Sequence, residues 1–332
     1  MGRKKSVLHD VMEESVETIN GKIEFFQSGS TLLDLALGGG YAVGRIINIY
    51  GPEASGKSFM AVQAVVGFLK KYPDAFVFYV DSEHTLDERF ASAVGLPPFN
   101  DRRVLVDDVV TMQDFYTRLQ QFKKLLVDNP TSHGLFVLDS LDALQDEDEP
   151  DKISTGYMTE KAKIMSHHIC PLLYGSSKEV GDRGTYYIVS QARDNLKSGF
   201  VQTETRSGGR ALRFSVSQLI HLKLKEKLGR AYRGIRMVYG VMVQATVEKN
   251  KVGLPYRQAS FPILFDHGIA DEISCMMWLK SVKSEFDENR FATGDYESVR
   301  TDLVDQVRRE WEDIEDHMKS FSSTGTSSET LN

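Results

Sequence analysis

The sequence is poor in cysteine and lacks any long apolar run. Among its 332 residues only Cys170 and Cys275 carry thiols, and neither has a Cys or His neighbour at zinc-ligand spacing. A disulfide framework and a zinc finger are therefore excluded, and a reducing, intracellular location is expected. No stretch of about eighteen apolar residues occurs, and no apolar segment follows the basic residues near Met1, so we expect neither a membrane span nor export.

Negative charge is concentrated near the end of the sequence. The whole chain carries a net charge of −7. Residues 271–332 hold 15 Asp and Glu against 7 Lys and Arg, a balance of −8 that leaves residues 1–270 at +1. A nucleic-acid partner is therefore not excluded by the overall charge, because an acidic end can mask a neutral or locally basic body.

One stretch matches a phosphate-binding loop at every fixed position. Residues 51–58 read GPEASGKS, which fits G-x-x-x-x-G-K-[ST]. Strand-forming residues precede it at 45–50, and apolar residues at helical spacing follow it at 59–69. In such a loop the backbone N–H groups, the helix N-terminus and the lysine bind phosphates. The predicted nucleotide-binding residues are Gly51, Pro52, Glu53, Ala54, Ser55, Gly56, Lys57 and Ser58, with Ser58 also a ligand of Mg²⁺.

The chain alternates strands with helix-length segments. Two continuous apolar runs, at 75–80 and 135–138, are typical of strands buried on both faces, and further strands are predicted at 45–50 and 186–189. Helical patterns at 111–128 and 159–174 lie between them, as βαβ units require. Later runs predict antiparallel strands that complete the sheet, at 216–224, 238–247 and 259–264. The predicted fold is α/β, with a mostly parallel central sheet flanked by helices.

Four segments are expected along the chain. The first contains one short amphipathic helix, which packs either on the core or on another copy of the protein. A large core follows, and then a helical segment with helices at 273–282 and 296–318. The last residues are rich in Ser and Thr and are predicted to be disordered. The boundaries of these segments are 1–27, 28–270, 271–319 and 320–332.

Two carboxylates follow predicted strands and are candidates for chemistry. Asp139 comes directly after the strand at 135–138, where a phosphate-loop enzyme holds Mg²⁺. Glu83 follows the strand at 75–80, and an ATPase needs a carboxylate beside the attacking water, so Glu83 is the expected general base. The alternatives are a turn-capping aspartate and a solvated loop glutamate.

Together these residues resemble the RecA/RadA family of homologous recombinases over roughly residues 28–270. The resemblance is carried by the glycine-rich entry at 35–53, the turn at 81–87 and the stretch 191–214. It implies a RecA-type P-loop ATPase core that uses ATP and Mg²⁺. The short N-terminal helix and the small C-terminal helical segment would be attached to this core.

The resemblance also implies roles within the nucleotide site. Glu83 would activate water, and Asp87 and Phe90 would meet the adenine ring. Phe90 stands where the family often has Tyr. Gln191 resembles the glutamine that senses the γ-phosphate and orders the loop behind it.

Four residues resemble those that the family places at the contact between subunits. Lys249 and Lys251 are similar to paired lysines that reach the ATP of the neighbouring subunit, and strand alternation points both the same way. The resemblance places Arg213 near that nucleotide and Phe214 in a pocket of the next subunit. The alternative for the two lysines is a solvent-facing position on a strand.

Residues 191–214 resemble the family's second DNA loop. The stretch carries five basic residues against two acidic ones, a net charge of +3. Its glycines can bring backbone amides to a phosphate, and Leu196 and Phe200 can insert between bases. An ordinary surface loop is the alternative. The expected DNA contacts are Arg193, Leu196, Lys197, Phe200, Arg206, Ser207, Gly208, Gly209 and Arg210.

Two further stretches are candidates for DNA contact. A first loop would span 145–157, with Met158 and Lys163 at positions that resemble a base-contacting methionine and the basic residue beyond it. The acidic run 146–151 would repel phosphate unless it turns outward. The basic hairpin 223–236 has a net charge of +5 and either adds to a DNA-facing surface or is simply solvated.

The function implied by the resemblance is an ATP-dependent DNA recombinase. Such a protein forms a helical filament on single-stranded DNA and pairs it with a homologous duplex. Loader, mediator or single-strand-binding proteins are candidate partners, and the expected location is the cytoplasm of a bacterium, or of a phage's host. Two other classes stay open: a regulatory RecA-fold ATPase such as a recombination mediator, and a hexameric helicase motor.

Overall fold

One large sheet with apolar layers on both faces organises the chain in this computed structural model. The structure describes residues 23–99, 101–145, 170–194, 204–206, 209–265, 267–283 and 296–323. Within these ranges no helix is both long and apolar enough to cross a membrane. The predicted N-terminal helix and the acidic run 146–151 lie outside the described residues.

The central sheet is mostly parallel, as predicted. Its strands and a small separate pair are β1 (Phe25–Phe26), β2 (Tyr41–Ala42), β3 (Ile46–Gly51), β4 (Phe76–Asp81), β5 (Val104–Asp108), β6 (Gly134–Asp139), β7 (Gly184–Asp194), β8 (Glu204–Arg206), β9 (Gln218–Tyr232), β10 (Ile235–Asn250), β11 (Gln258–Leu264) and β12 (Gly268–Ile269). The sheet order is β12-β11-β10-β9-β3-β7-β6-β4-β5, with β8 paired to β7 and with β1 and β2 apart from it. Neighbours from β9 to β5 are parallel, whereas those from β9 to β12 are antiparallel.

The helices cover both faces of the sheet. They are α1 (Thr31–Leu37), α2 (Lys57–Lys71), α3 (Glu88–Val94), α4 (Met112–Asp128), α5 (Cys170–Val180), α6 (Gly209–Ser215), α7 (Asp271–Val282) and α8 (Tyr296–Ser323). Buried residues of α1, α2, α3, α7 and α8 belong to one apolar layer, and those of α4, α5 and α6 to the other. In β3, Ile47 and Ile49 join the first layer while Ile46 and Tyr50 join the second, because strand side chains alternate.

Several boundaries differ from the sequence-based prediction. Phe26 is buried against Phe68, with ring centroids 5.1 Å apart, so the packed core begins before residue 28. Strand β5 is not predicted, because it is a short edge strand with only one buried residue. Helix α5 ends at Val180 rather than at 174. Helix α8 ends at Ser323, beyond the predicted end at 318 and inside the tail predicted to be disordered.

The antiparallel part of the sheet ends in a long, exposed ribbon. Both β9 and β10 extend beyond the predicted strands until they meet at a turn of Arg233 and Gly234, with φ of 51° and 79°. The basic stretch 223–236 lies on this ribbon, and its tip is exposed. Sequence periodicity underestimates the ribbon because its residues alternate between basic and apolar without a buried face.

The carboxyl groups of Asp34 and Asp271 accept hydrogen bonds that connect α1 to the chain before it and to α7. The N–H of Ser28 donates to Asp34 Oδ1 at 2.8 Å, and Thr31 donates its N–H and its hydroxyl to Asp271, each at 2.7 Å. Desolvation raises the pKa of Asp34 to about 7, against the hydrogen bonds from Ser28 and the charge of Arg308. Desolvation also raises the pKa of Asp271. Protonation of Asp34 is therefore linked to folding.

We expect Asp34→Asn to remove part of the pH dependence of stability. Between pH ~4 and pH ~7 the folded protein holds a proton on Asp34 that the unfolded chain releases. The free energy of unfolding therefore falls as pH rises through this window, by at most about 1.4 kcal/mol per pH unit from this group. Urea unfolding from pH 5 to pH 8 should show a shallower fall in Asp34→Asn than in the unmodified protein. Asp305→Asn is the control and should keep the original slope, because Asp305 is an exposed residue that lines the same surface cleft as Asp34 and Asp271.

Candidate functional site

The phosphate-binding loop lies between β3 and α2, as predicted. Gly56 precedes the helix with a φ of 89°, and no side chain among the described residues caps α2. The first N–H groups of α2 can therefore bind an anion. The Lys57 ammonium donates to the Pro52 carbonyl at 2.7 Å, which closes the loop on itself. The loop has the geometry of a phosphate cradle, with its lysine folded along the backbone.

The register of the parallel strands brings the predicted catalytic residues to one edge. Asp81 lies opposite Asp139 across β4 and β6, and Gly51 lies opposite Gln191 across β3 and β7. The carboxyl ends of neighbouring parallel strands form the ligand-binding edge of doubly wound sheets. Residues from three other stretches of sequence therefore meet beside the phosphate-binding loop, which begins at Gly51.

Asp81 shapes the turn that carries Glu83. Its carboxylate, which is buried, accepts three backbone N–H groups, from Glu83 at 3.1 Å, Thr85 at 2.8 Å and Leu86 at 2.8 Å. The sequence motifs predict no role for Asp81. An aspartate at a strand end before a short polar turn is the signal that was available, because such side chains often bond the backbone of the following residues.

Glu83 is held by two side chains from other strand ends. The Gln191 side-chain amide donates to Glu83 Oε1 at 3.2 Å, and the Ser140 hydroxyl donates to the same oxygen. The Gln191 backbone N–H donates to Asp142 Oδ2 at 2.7 Å. Ser140 and Asp142 are not predicted from the sequence, because their roles depend on contacts between distant segments. The predicted base and the predicted γ-phosphate sensor are thus in direct contact.

Asp139 has the surroundings of a magnesium ligand. It is 2% exposed, and burial raises its pKa to about 6, opposed by hydrogen bonds from Tyr79 and Ser58. Its buried Oδ1 has no hydrogen-bond partner among the described residues. A buried carboxylate oxygen without a donor is destabilising unless a cation meets it. Asp139 and Ser58 therefore fit the predicted Mg²⁺ site.

Lys57 is surrounded by acidic groups. Burial lowers the pKa of Lys57, and this is the largest effect on the group. Four carboxylates oppose this shift: Glu83, Asp139, Asp142 and Glu53. The ammonium is thus the positive centre of an acidic site, and a polyphosphate entering the loop would require cations to balance its own charge.

The two residues predicted to contact adenine lie at the start of α3. The Asp87 carboxylate accepts the N–H of Phe90 at 2.9 Å and so caps this helix. Phe90 packs on Phe59 of α2, with ring centroids 5.9 Å apart. This packing fixes Phe90 near the phosphate-binding helix, and the adenine contact itself stays a prediction.

Only part of the predicted DNA loops lies within the described residues. Strand β7 continues past Gln191 to Asp194 and pairs antiparallel with β8, so a two-stranded arm extends from the nucleotide site. Arg193 and Arg206 belong to this arm, and Gly209 and Arg210 begin α6. The other predicted contacts lie outside the described residues: Met158, Lys163, Leu196, Lys197, Phe200, Ser207 and Gly208.

Helix α6 ends at the two lysines predicted to act on a neighbouring subunit. Lys251 donates to the Phe214 carbonyl at 3.0 Å, and Lys249 donates to the same carbonyl at 3.3 Å and to that of Arg213. Both ammonium groups thus bind the C-terminal, negative end of α6. Both side chains point to the same helix end, although Lys251 lies one residue beyond β10. The Phe214 side chain is 78% exposed, as a residue that inserts into another subunit requires.

Comparison with known proteins places this site within a matched region. A family model described as the RecA N-terminal domain matches residues 4–270. The chain is 32% identical to Protein RecA of Gloeobacter violaceus over 282 residues, 84% of this chain and 71% of that protein. It is 33% identical to Protein RecA of Lactococcus lactis subsp. cremoris over 258 residues, 76% of this chain and 63% of that protein. For Protein RecA of Trichodesmium erythraeum the identity is 28% over 313 residues, 90% and 81% of the two chains.

Proposed function

From the premise that this chain belongs to the RecA family, we propose that it is an ATP-dependent recombinase that assembles as a helical filament on single-stranded DNA. In that filament it would pair the bound strand with a homologous duplex and exchange strands. ATP would lie between subunits and control how tightly DNA is held. The finding that best supports this coupling is the hydrogen bond between Glu83 and Gln191.

The proposed reaction is transfer of the γ-phosphoryl group of ATP to water. The water oxygen forms a bond to the γ-phosphorus, the bond from that phosphorus to the bridging oxygen of ADP breaks, and Glu83 accepts the proton of the water. Lys57 neutralises charge on the outer phosphates. Mg²⁺, when bound, supplies further charge neutralisation, and Ser58 and Asp139 are the residues that would hold it.

Gln191 links this chemistry to the DNA loop. Its side chain contacts the base, Glu83, while its backbone begins the arm of β7 and β8 that leads to the predicted DNA contacts. A γ-phosphate competes with Glu83 for the side-chain amide of Gln191. Binding of ATP would therefore release the Glu83 carboxylate from this hydrogen bond and shift the arm of β7 and β8 that follows Gln191. Hydrolysis removes the γ-phosphate and reverses the change.

Lys249 and Lys251 extend the link to the neighbouring subunit. In the isolated chain both bind the carbonyl of Phe214, at the end of the helix that follows the DNA loop. If the same ammonium groups turn to the ATP of a neighbour, they release the end of α6 and the exposed Phe214. We therefore expect DNA binding, ATP binding and subunit contact to be coupled through these lysines.

An ATPase assay with and without single-stranded DNA tests the proposal. DNA should stimulate hydrolysis, and raising the salt concentration should reduce the stimulation, because phosphate contacts release counterions. Phe200→Ala and Arg206→Ala should lose the stimulation, whereas Lys124→Ala, at an exposed lysine of α4, should keep it. If DNA does not change the rate of hydrolysis, and the variants have the same rate as the unmodified protein, the protein is a RecA-fold ATPase that serves another partner.

Electron microscopy distinguishes the proposed filament from a motor. With ATP and single-stranded DNA we expect to see helical filaments. Closed rings would instead indicate a hexameric helicase and would refute the recombinase function.

A further inference from the structure

Tyr79 connects β4 to the predicted magnesium ligand. Its side chain is 1% exposed, and its hydroxyl donates to Asp139 Oδ2 at 2.8 Å. The two residues are 60 positions apart in the sequence but lie on neighbouring parallel strands, β4 and β6. The contact is therefore produced by the register of the sheet and cannot be read from a local motif.

The two oxygens of Asp139 have different surroundings. Oδ2 accepts the hydrogen bond from Tyr79, whereas the buried Oδ1 lacks a hydrogen-bond partner in the described part of the chain. Ser58, in the first turn of α2, interacts with the same carboxyl group. A fixed hydrogen bond to one oxygen restricts rotation of the carboxyl group and leaves the other oxygen for a cation beside Ser58.

Tyr79 is suited to hold the carboxylate in place. Its hydroxyl is a hydrogen-bond donor, and the carboxylate oxygen Oδ2 of Asp139 accepts from it. Its ring packs in the apolar layer beneath α2, beside Val77 and Val137. In the same layer the hydroxyls of Tyr41 and Tyr187 are 3.2 Å apart. Close packing therefore holds the Tyr79 ring in one position, which also fixes the direction of its hydrogen bond to Asp139.

We propose that Tyr79 is a positioning residue for magnesium, whose hydrogen bond orients Asp139 so that the second carboxylate oxygen meets the ion. The inference rests on the proposed nucleotide site and adds a residue that acts only through Asp139. Outer-shell partners of this kind typically contribute about 10- to 100-fold to metal affinity.

The test compares Tyr79→Phe with Tyr41→Phe. Both changes remove one buried hydroxyl and keep the ring, but only the first removes a partner of Asp139. The affinity for Mn²⁺, a paramagnetic substitute for Mg²⁺, is measured by electron paramagnetic resonance in the ADP complex. Tyr79→Phe should weaken Mn²⁺ binding about tenfold or more, and Tyr41→Phe should leave it unchanged. Equal affinity in the two variants would overturn the proposal.

A second comparison uses Asp139→Asn as the background, with Mn²⁺ titrated up to concentrations that saturate this variant. Adding Tyr79→Phe should cause no further loss of affinity, because the carboxylate that Tyr79 orients is gone. A further loss would show that Tyr79 acts by another route. The amide background also removes the buried charge, so the comparison holds even if Tyr79→Phe alone fails to fold. Nucleotide binding that is independent of metal in the unmodified protein would instead refute the proposed function.

Discussion

Lys57→Ala should abolish nucleotide binding. The ammonium is the positive centre of a site with four nearby carboxylates, so its removal leaves a polyphosphate facing mainly negative charge. Charged hydrogen bonds contribute roughly 1.5–3 kcal/mol each, and loss of contacts to the outer phosphates should weaken binding by at least about a hundredfold. Calorimetric titration with ATP and Mg²⁺ measures this loss directly.

The matched control is Lys70→Ala. Lys70 is an exposed lysine in the last turn of the same helix, so it tests whether loss of any positive charge on α2 weakens binding. We expect it to bind ATP as the unmodified protein does. Both variants should have the same circular dichroism, because the Lys57 bond to Pro52 joins only neighbouring residues of one loop. Undiminished ATP binding in Lys57→Ala would refute the assignment of the phosphate-binding loop.

Glu83→Gln should stop turnover while nucleotide binding and assembly on DNA persist. The amide oxygen of glutamine can still accept the hydrogen bonds from Ser140 and Gln191, so the site keeps its shape. It cannot accept a proton from water. General-base catalysis is worth about 10²- to 10⁴-fold, and the steady-state ATPase rate should fall by that amount.

Glu88→Gln is the control for this change. Glu88 is an exposed glutamate in α3, and its replacement should leave the rate unchanged. A Glu83→Gln variant that hydrolyses ATP at the original rate would show that another group is the base. Asp142, which binds the backbone of Gln191, would then be the first residue to test.

Local sequence patterns were sufficient for much of the site. The phosphate-binding loop, Asp139 and Glu83 each lie beside an apolar strand, and such strands can be recognised in a short window. The sequence also predicts that these residues lie together at one edge of the sheet, because the carboxyl ends of parallel strands are aligned. Gln191 was found by resemblance to a family, and its contact with Glu83 was not foreseen.

Contacts between distant segments could not be predicted in the same way. Tyr79 reads as one more apolar residue of a buried strand, and only the pairing of β4 with β6 brings its hydroxyl to Asp139. Strand β5 was missed for a related reason, because its side chains at the sheet edge are half-exposed and carry no clear periodicity. Burial and pairing are properties of the assembled sheet, so a single sequence shows them poorly.

Both tryptophans of the protein belong to its C-terminal helices. Trp278 in α7 and Trp311 in α8 have ring centroids 5.7 Å apart, and Trp311 also donates to Glu315 at 3.1 Å. Indole emission from the intact protein therefore reports on these two helices and on no other element. A change of that emission when ATP is added would mean that the C-terminal helices respond to nucleotide binding at the N-terminus of α2, without any label having been introduced.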